Sequence, residues 1–190
     1  MLYNLVRKNR SYRRFDEAKK INRGTLRGLI NLARLCPSGA NKQPLKYAVS
    51  NDKSKNSMIF QALAWAGFLK DWDGPEEGER PSAYIIILGD TAVSQSFDYD
   101  AGICAQTILL GAAERGLGGC MIGSVNRSKL RGLVKIPERF KILLVIALGK
   151  PAERVVIEEA DECADTRYWR DKDLTHHVPK RKIRDIILPI

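Results

Sequence analysis

From Asp98 to Glu114 the chain reads DYDAGICAQTILLGAAE, a stretch of helical length with apolar residues on nearly every side. A helix without a polar face has to be buried. Either the rest of the chain covers it all round or a second copy of the chain does so. Small residues at Ala101, Gly102, Ala105, Gly111, Ala112 and Ala113 let a neighbour approach closely. The stretch therefore reads as the central core helix, as a helix packed against a second subunit, or as both.

The cover is visible elsewhere. Residues 83–88 (AYIIIL) and 141–148 (KILLVIAL) are continuous and rich in β-branched side chains, the pattern of strands buried on both faces. Residues 46–50 read as a shorter strand. Leu26, Leu29, Ile30 and Ala33 recur at helical spacing, and the helix closes before Pro37, which disfavours the α region at Cys36. The spacing predicts further helices over residues 55–66, halted near Gly67, and 127–134. Residues 116–124 predict a glycine-rich turn leading into a short strand. Residues 71–80 (DWDGPEEGER) form a surface loop. Helices alternating with buried strands argue for an α+β sandwich. With no repeat or linker to divide them, the 190 residues form a single domain, 1–190. Past Pro151 the composition turns charged and weakly periodic, so residues 152–190 read as an arm wrapped on a partner subunit.

Composition excludes several classes. The longest apolar run, residues 142–148, is far below the roughly 20 residues that span a bilayer. The first residues lack a signal-peptide core, which points to a soluble, cytoplasmic protein with no membrane contact. Cys36, Cys104, Cys120 and Cys163 are widely spaced and read as reduced thiols, Cys120 as a buried structural one. His176 and His177 are adjacent, so they point different ways and do not suggest a metal site. The net charge of +10 invites a nucleic-acid reading. The positive residues gather at the two ends, however, in residues 7–20 and 180–184, without interleaved aromatics. Two basic ends can instead meet on one phosphate-bearing cofactor.

The common catalytic motifs are missing. Gly116, Gly118 and Gly119 begin like a dinucleotide fingerprint, but Met121 occupies the third glycine position, and the segment follows a helix where that fingerprint follows a strand. No P-loop or G-x-S-x-G element is present. What remains is a set of polar clusters suited to holding an anionic, planar cofactor. Arg10, Ser11, Arg13 and Arg14 supply two kinds of phosphate donor within one turn, although such a turn alone is more often solvated surface. Pro37, Ser38, Gly39, Asn41, Gln43 and Pro44 combine rigid prolines with amides that donate and accept, which suits the edge of a planar heterocycle.

Taken in order, four motifs carry a resemblance. They are R-S-x-R-x-F at residues 10–15, P-S-G-A-N-x-Q-P at 37–44, G-L-G-x-x-x-I-G-S at 116–124, and L-G-K-P at 148–151. Together they resemble the nitroreductase-like family of FMN proteins across nearly the whole chain. The resemblance implies an α+β fold around a mixed central sheet flanked by helices, and a homodimer with two FMN sites at its interface. It implies that Arg10, Ser11 and Arg13 hold the phosphate and ribityl end. Lys180 and Lys182, with Arg181, would complete the clamp. Pro37, Ser38, Gly39, Asn41 and Gln43 would reach the flavin from the other subunit. Met121, Ile122, Gly123 and Ser124 would run along its ring, offering backbone N–H groups. The implied activity is ping-pong reduction of nitroaromatics, quinones or other electron-poor small molecules by NADH or NADPH. A non-reductase role for the bound flavin, in storage, sensing, flavin breakdown or dehalogenation, is the alternative. Asn9 stands where many members carry another basic residue. Gly123 stands where some carry a carboxylate, so only backbone contacts are expected there.

Overall fold

In the computed structural model, which describes residues 1–189, strand β5 (Phe140–Pro151) lies at the middle of a five-stranded sheet. Residues 145–148 of β5 bond at once to β3 (Ala83–Asp90) and to β4 (Gly118–Ile122), so these two flank it. Beyond β3 lies β2 (Leu45–Ser50), and the far end of β5 holds the short β1 (Phe15–Asp16). Every pairing in this sheet is antiparallel, which corrects the expectation of a mixed one. The reason is topological. Helix α4 (Asp98–Glu114) joins β3 to β4 as parallel strands, but β5 is inserted between them and runs antiparallel to both.

Helices cover both faces, as the unbroken apolar strands require. Along β3, Ala83, Ile85 and Ile87 pack toward α4 and α2 (Arg23–Arg34), while Tyr84, Ile86 and Leu88 pack toward α3 (Lys53–Phe60) and α5 (Arg127–Val134). Three helices start on side-chain caps: Asn22, Asp52 and Asn126 accept from the backbone N–H of Thr25, Lys55 and Lys129 at 2.8, 3.0 and 3.0 Å. An additional N-terminal helix, α1 (Leu2–Lys8), packs on α4.

Three expectations change. The helix expected over residues 55–66 is α3, which ends at Phe60. Beyond it Ala64 N–H donates to Ser124 at 2.9 Å and Leu63 bridges Val125, contacts that outcompete local helix propensity. Strand β5 continues past Leu148 to Pro151 because β1 pairs with it there. Gly149 keeps that pairing possible, since a Cβ at this position would stand 2.7 Å from the Phe15 ring. Finally, α4 is buried along Ala101, Cys104, Ala105, Ile108 and Ala112, but Tyr99, Gly102, Ile103 and Gln106 are exposed in the single chain.

The C-terminal region forms a second sheet. Strand β6 (Val155–Ala160) pairs in parallel with β8 (His176–Arg181), and β7 (Trp169–Arg170) pairs antiparallel with β8. Beyond it, Ile183, Ile186, Ile187 and Leu188 are exposed.

Gly119 tests the sheet. A Cβ there would meet the Ala147 carbonyl oxygen at 2.5 Å, a backbone atom that cannot turn aside. Gly119→Ala is expected to lose about 2–4 kcal/mol in denaturant unfolding; unchanged stability would show that β4 does not lie this close to β5.

Candidate functional site

The segment after α1 is fastened beside β4. Ser11 forms a parallel bridge to Gly119, and Tyr12 N–H donates to the Gly119 carbonyl at 3.0 Å. This brings Arg10 and Ser11 alongside β4, which ends in Met121 and Ile122 and leads into Gly123 and Ser124. Ser11 is exposed. Arg10 is half-buried, its Nη2 donating to the Val6 carbonyl at 2.6 Å, while its Nε is buried without a partner among the described residues. Burial pulls the Arg10 pKa down from its ordinary value. Gly123 and Ser124 are exposed, and their N–H groups have no protein partner among the described residues. A Cβ at Gly123 would meet nothing within 4 Å.

Arg13 behaves differently. It is buried, and its guanidinium lies over the Tyr168 ring at 4.6 Å, with Nη1 3.0 Å from His176 Nε2 and 3.3 Å from the Ser11 carbonyl. His176 is buried beside the cations Arg13 and Arg170, and its pKa is lowered to about 4, mainly by desolvation. The ring is therefore neutral at pH 7. Since Arg13 can only donate, Nε2 must accept and the proton sits on Nδ1.

The fastening centre is Glu153, whose carboxylate is shut off from solvent. It accepts from the backbone N–H groups of Arg13 and Arg14 and from Arg170 Nη2 at 2.9 Å. Arg170 also stacks on Trp72 at 4.2 Å, and Arg14 pairs with Glu79. The Glu79 carboxyl is held below its usual range by that bond. Through these contacts the small sheet and the loop of residues 71–80 are tied to the Arg10–Phe15 segment.

The other expected site segments lie apart. Residues 37–43 sit at the start of α4, where Gly39 N–H donates to Asp100 Oδ1 at 3.0 Å. Asn9 reaches Gln106 on the same helix, so about 9 Å of helix axis separates the two attachments. Ala40, Asn41 and Gln43 have positive φ of 49°, 52° and 52°, backbone conformations that non-glycine residues seldom hold. Ser38 Oγ supports the loop by accepting from Gln43 N–H at 3.0 Å, and Gln43 Nε2 donates to Asn41 Oδ1 at 3.3 Å. Pro37, Gly39, Asn41 and Gln43 are exposed. The cavity this loop borders, about 180 Å³, is smaller than the roughly 300 Å³ typical of small-molecule pockets.

Lys180, Arg181 and Lys182 are also distant from Arg13. Arg13 meets β8 at His176, and at about 3.3 Å per residue Lys180 lies about 13 Å further along the strand. Lys180 is exposed, Arg181 donates to the Glu162 carbonyl, and Lys182 pairs with Asp161 at 2.6 Å. Within one chain the structure joins Arg10 and Ser11 to the glycine-rich strand and leaves both the 37–43 loop and the 180–182 cluster outside that group.

Sequence reasoning missed Glu153, Tyr168, Arg170 and Trp72, and it weighed His176 only as a metal ligand or hydrolytic base and set both aside. Their signal was faint: a lone acid after G-K-P, and an aromatic and an arginine in a polar tail. His177 turns away from His176, stacking on Trp169 at 4.0 Å and bonding Glu158 and Asp171. Cys120 is buried, and burial pushes its thiol pKa up.

Comparison with known proteins gives a consistent result. The pattern of the Nitroreductase family matches residues 6–150. A protein of Archaeoglobus fulgidus provisionally named NADH dehydrogenase/NAD(P)H nitroreductase is 26% identical over 167 residues, covering 83% of this chain and 90% of its own length. An iodotyrosine deiodinase of Thermotoga neapolitana is 21% identical, with 80% and 89% covered. Among solved structures, an FMN-dependent nitroreductase of Clostridium difficile superposes with a TM-score of 0.68 at 23% identity, covering 80% of this chain and 88% of that one. No helix among the described residues is long and apolar enough to cross a membrane.

Two outcomes test the fastening. Glu153→Gln removes the charge opposite Arg170 and is expected to lose about 3 kcal/mol or more of stability; a smaller loss would mean that the pair is not buried. The pH dependence follows from His176, whose folded pKa lies below the unfolded 6.5. Between these values the unfolded chain binds a proton that the folded one does not, so stability falls as pH drops from about 6.5 to about 4. His177, raised by Glu158 and Asp171, acts in the opposite sense, its contribution fading as pH rises through its folded pKa. Unfolding midpoints measured across this range, for the wild type and His176→Gln, should show the larger acid loss in the wild type, the remainder coming from carboxylates such as Glu79 whose pKa is also lowered.

Proposed function

The chain belongs to the nitroreductase family, and from that premise we propose that it is an FMN-dependent oxidoreductase taking electrons from NADH or NADPH and passing them to an electron-poor small molecule. The observation that carries this reading is the attachment of Arg10 and Ser11 to Gly119. It sets a buried, unpartnered guanidinium N–H and an exposed hydroxyl beside the strand that leads to the free backbone N–H groups of Gly123 and Ser124. These donors fit a phosphate and the polar rim of a flavin. FMN, when bound, supplies the hydride-accepting and hydride-donating chemistry. The protein's part is to bind and orient it. Arg10 and Ser11 hold the anionic end, and Gly123 and Ser124 present N–H groups without a side chain in the way. Arg13, kept in place by neutral His176 and Tyr168, adds positive charge nearby.

We assign the remaining contacts to a second copy of the chain. Tyr99 and Ile103 of α4, Leu2, Tyr3 and Val6 of α1, and the apolar residues 186–188 are exposed and supply apolar surface that a partner can cover. A homodimer burying these surfaces would bring the strained 37–43 loop, including Pro37, Ser38, Gly39, Asn41 and Gln43, to the flavin of the partner. It would also give the terminal arm, with Lys180, Arg181 and Lys182, a surface to wrap. The small substrate and the nicotinamide would then use one open face in turn. The relative named iodotyrosine deiodinase supports a second reading, reductive dehalogenation of a halophenol at the same face.

Purified protein is expected to be yellow and to release FMN on denaturation; a colourless protein that cannot be reconstituted overturns the proposal. Arg10→Ala with Ser11→Ala should weaken FMN binding at least tenfold by flavin fluorescence. Anaerobic NADH or NADPH should bleach the flavin, and turnover of nitroaromatics against 3-iodotyrosine separates the two readings. By light scattering the protein should be a dimer, and Ile103→Lys should give monomers.

A further inference from the structure

A larger cavity, of about 840 Å³, opens on the α3 face where the chain enters β3. None of the residues assigned above to the cofactor lines it. Its buried floor is formed by Asn56, Ser82 and Tyr84, with Arg80 and Phe60 beside them.

The polar groups of this floor are unmatched. Arg80 forms no hydrogen bond or ion pair with any described residue, and its guanidinium carbon lies over the Phe60 ring, 4.5 Å from its centre. Ser82 Oγ, Tyr84 OH and Asn56 Oδ1 are buried without partners among the described residues. The Asn56 amide is oriented by its other end, since Nδ2 donates to the Ser82 carbonyl at 2.9 Å, leaving Oδ1 as an unused acceptor. Each such group costs about 1–3 kcal/mol when unsatisfied, and folded proteins hold few of them. Several gathered at one cavity mark a place shaped for something other than the fold.

Their chemistry defines what would fit. Arg80 offers a cation with free N–H groups. Burial pushes the Tyr84 phenol pKa up, so it stays protonated and can donate, as can Ser82. Two hydroxyl donors beside one guanidinium match a carboxylate. Asn56 Oδ1 is an acceptor and calls for a donor on the same molecule. Glu17, Asp52 and Glu77 line the cavity together with Lys20 and Lys53, so with Arg80 the lining is balanced in charge and holds no excess of positive charge for a doubly charged anion such as phosphate. We propose that this cavity binds a small aliphatic carboxylate that also carries a hydroxyl or ammonium group, the carboxylate held by Arg80, Tyr84 and Ser82 and the donor by Asn56.

The full-length protein, as purified, would be titrated with 4-hydroxybutyrate and with its uncharged analogue 4-hydroxybutyramide, followed by calorimetry and by amide NMR shifts. The expected result is saturable binding of the acid at one site, with shifts centred on Asn56, Ser82 and Tyr84, and binding of the amide at least tenfold weaker. Arg80→Gln should weaken the acid at least tenfold. Tyr84→Phe should weaken it severalfold, yet melt no lower than the wild type, because the hydroxyl it deletes has no partner. Unsaturable shifts, equal binding of acid and amide, an unchanged Arg80→Gln, or a lower melting point for Tyr84→Phe would each overturn the assignment. Because this cavity shares no residue with the cofactor group, failure here leaves the FMN reading standing.

Discussion

Strand β5 is paired along both edges, and the rest of the molecule is arranged to make that possible. Because β3 and β4 occupy its two sides, its backbone groups are satisfied inside the sheet and its side chains can be apolar on both faces. Two helical layers must then cover it. Helices α2 and α4 take one face, α3 and α5 the other. The insertion of β5 between two strands joined by α4 makes the main sheet antiparallel throughout. It also brings the glycine-rich β4 to the position where the chain after α1 can dock on it. The candidate site is thus a consequence of where β5 ends up.

A second constraint is electrostatic. Glu153 is a buried carboxylate beside Arg13, Arg14 and Arg170, and it binds two backbone N–H groups as well as a guanidinium. Such a group is expensive to bury unless every oxygen is used, so it ties three separate segments to one geometry. The neutral imidazole of His176 belongs to the same arrangement, accepting from Arg13 where a charged ring would repel it. In a strongly basic chain, this small acidic centre is what allows several arginines to crowd near a candidate phosphate site without dispersing.

Family membership and fold give the frame for function, while the particular residues give its shape. Arg10 and Ser11 adjoin the strand that leads to Gly123 and Ser124 within one chain, whereas the strained 37–43 loop is held at the start of α4, about 9 Å along the helix axis from the Asn9 contact. Within one chain the expected site segments are therefore split between two places, and Tyr99 and Ile103 of α4 stand exposed. The cavity under α3 belongs to the other face of the sheet and to a separate set of polar groups.

Much of this could be read from the residues in order. The unbroken apolar runs of β3 and β5, the helix from Asp98 to Glu114, the proline after α2 and the four ordered motifs depend on local composition, which a sequence displays directly. Other features depend on neighbours distant in the chain. The early end of α3 is decided by Ser124 and Val125, the extension of β5 by Phe15 settling over Gly149, and the place of Arg13 by His176, far along the chain. The orphaned groups at Asn56, Arg80, Ser82 and Tyr84 come from α3 and the entry to β3 and have no shared sequence pattern. The sequence by itself determined which segments are buried and which motifs the chain carries, because periodicity and residue type suffice for that. Only the tertiary structure decided which polar groups meet and which are left without partners, because hydrogen bonding between segments depends on the packing that brings them together.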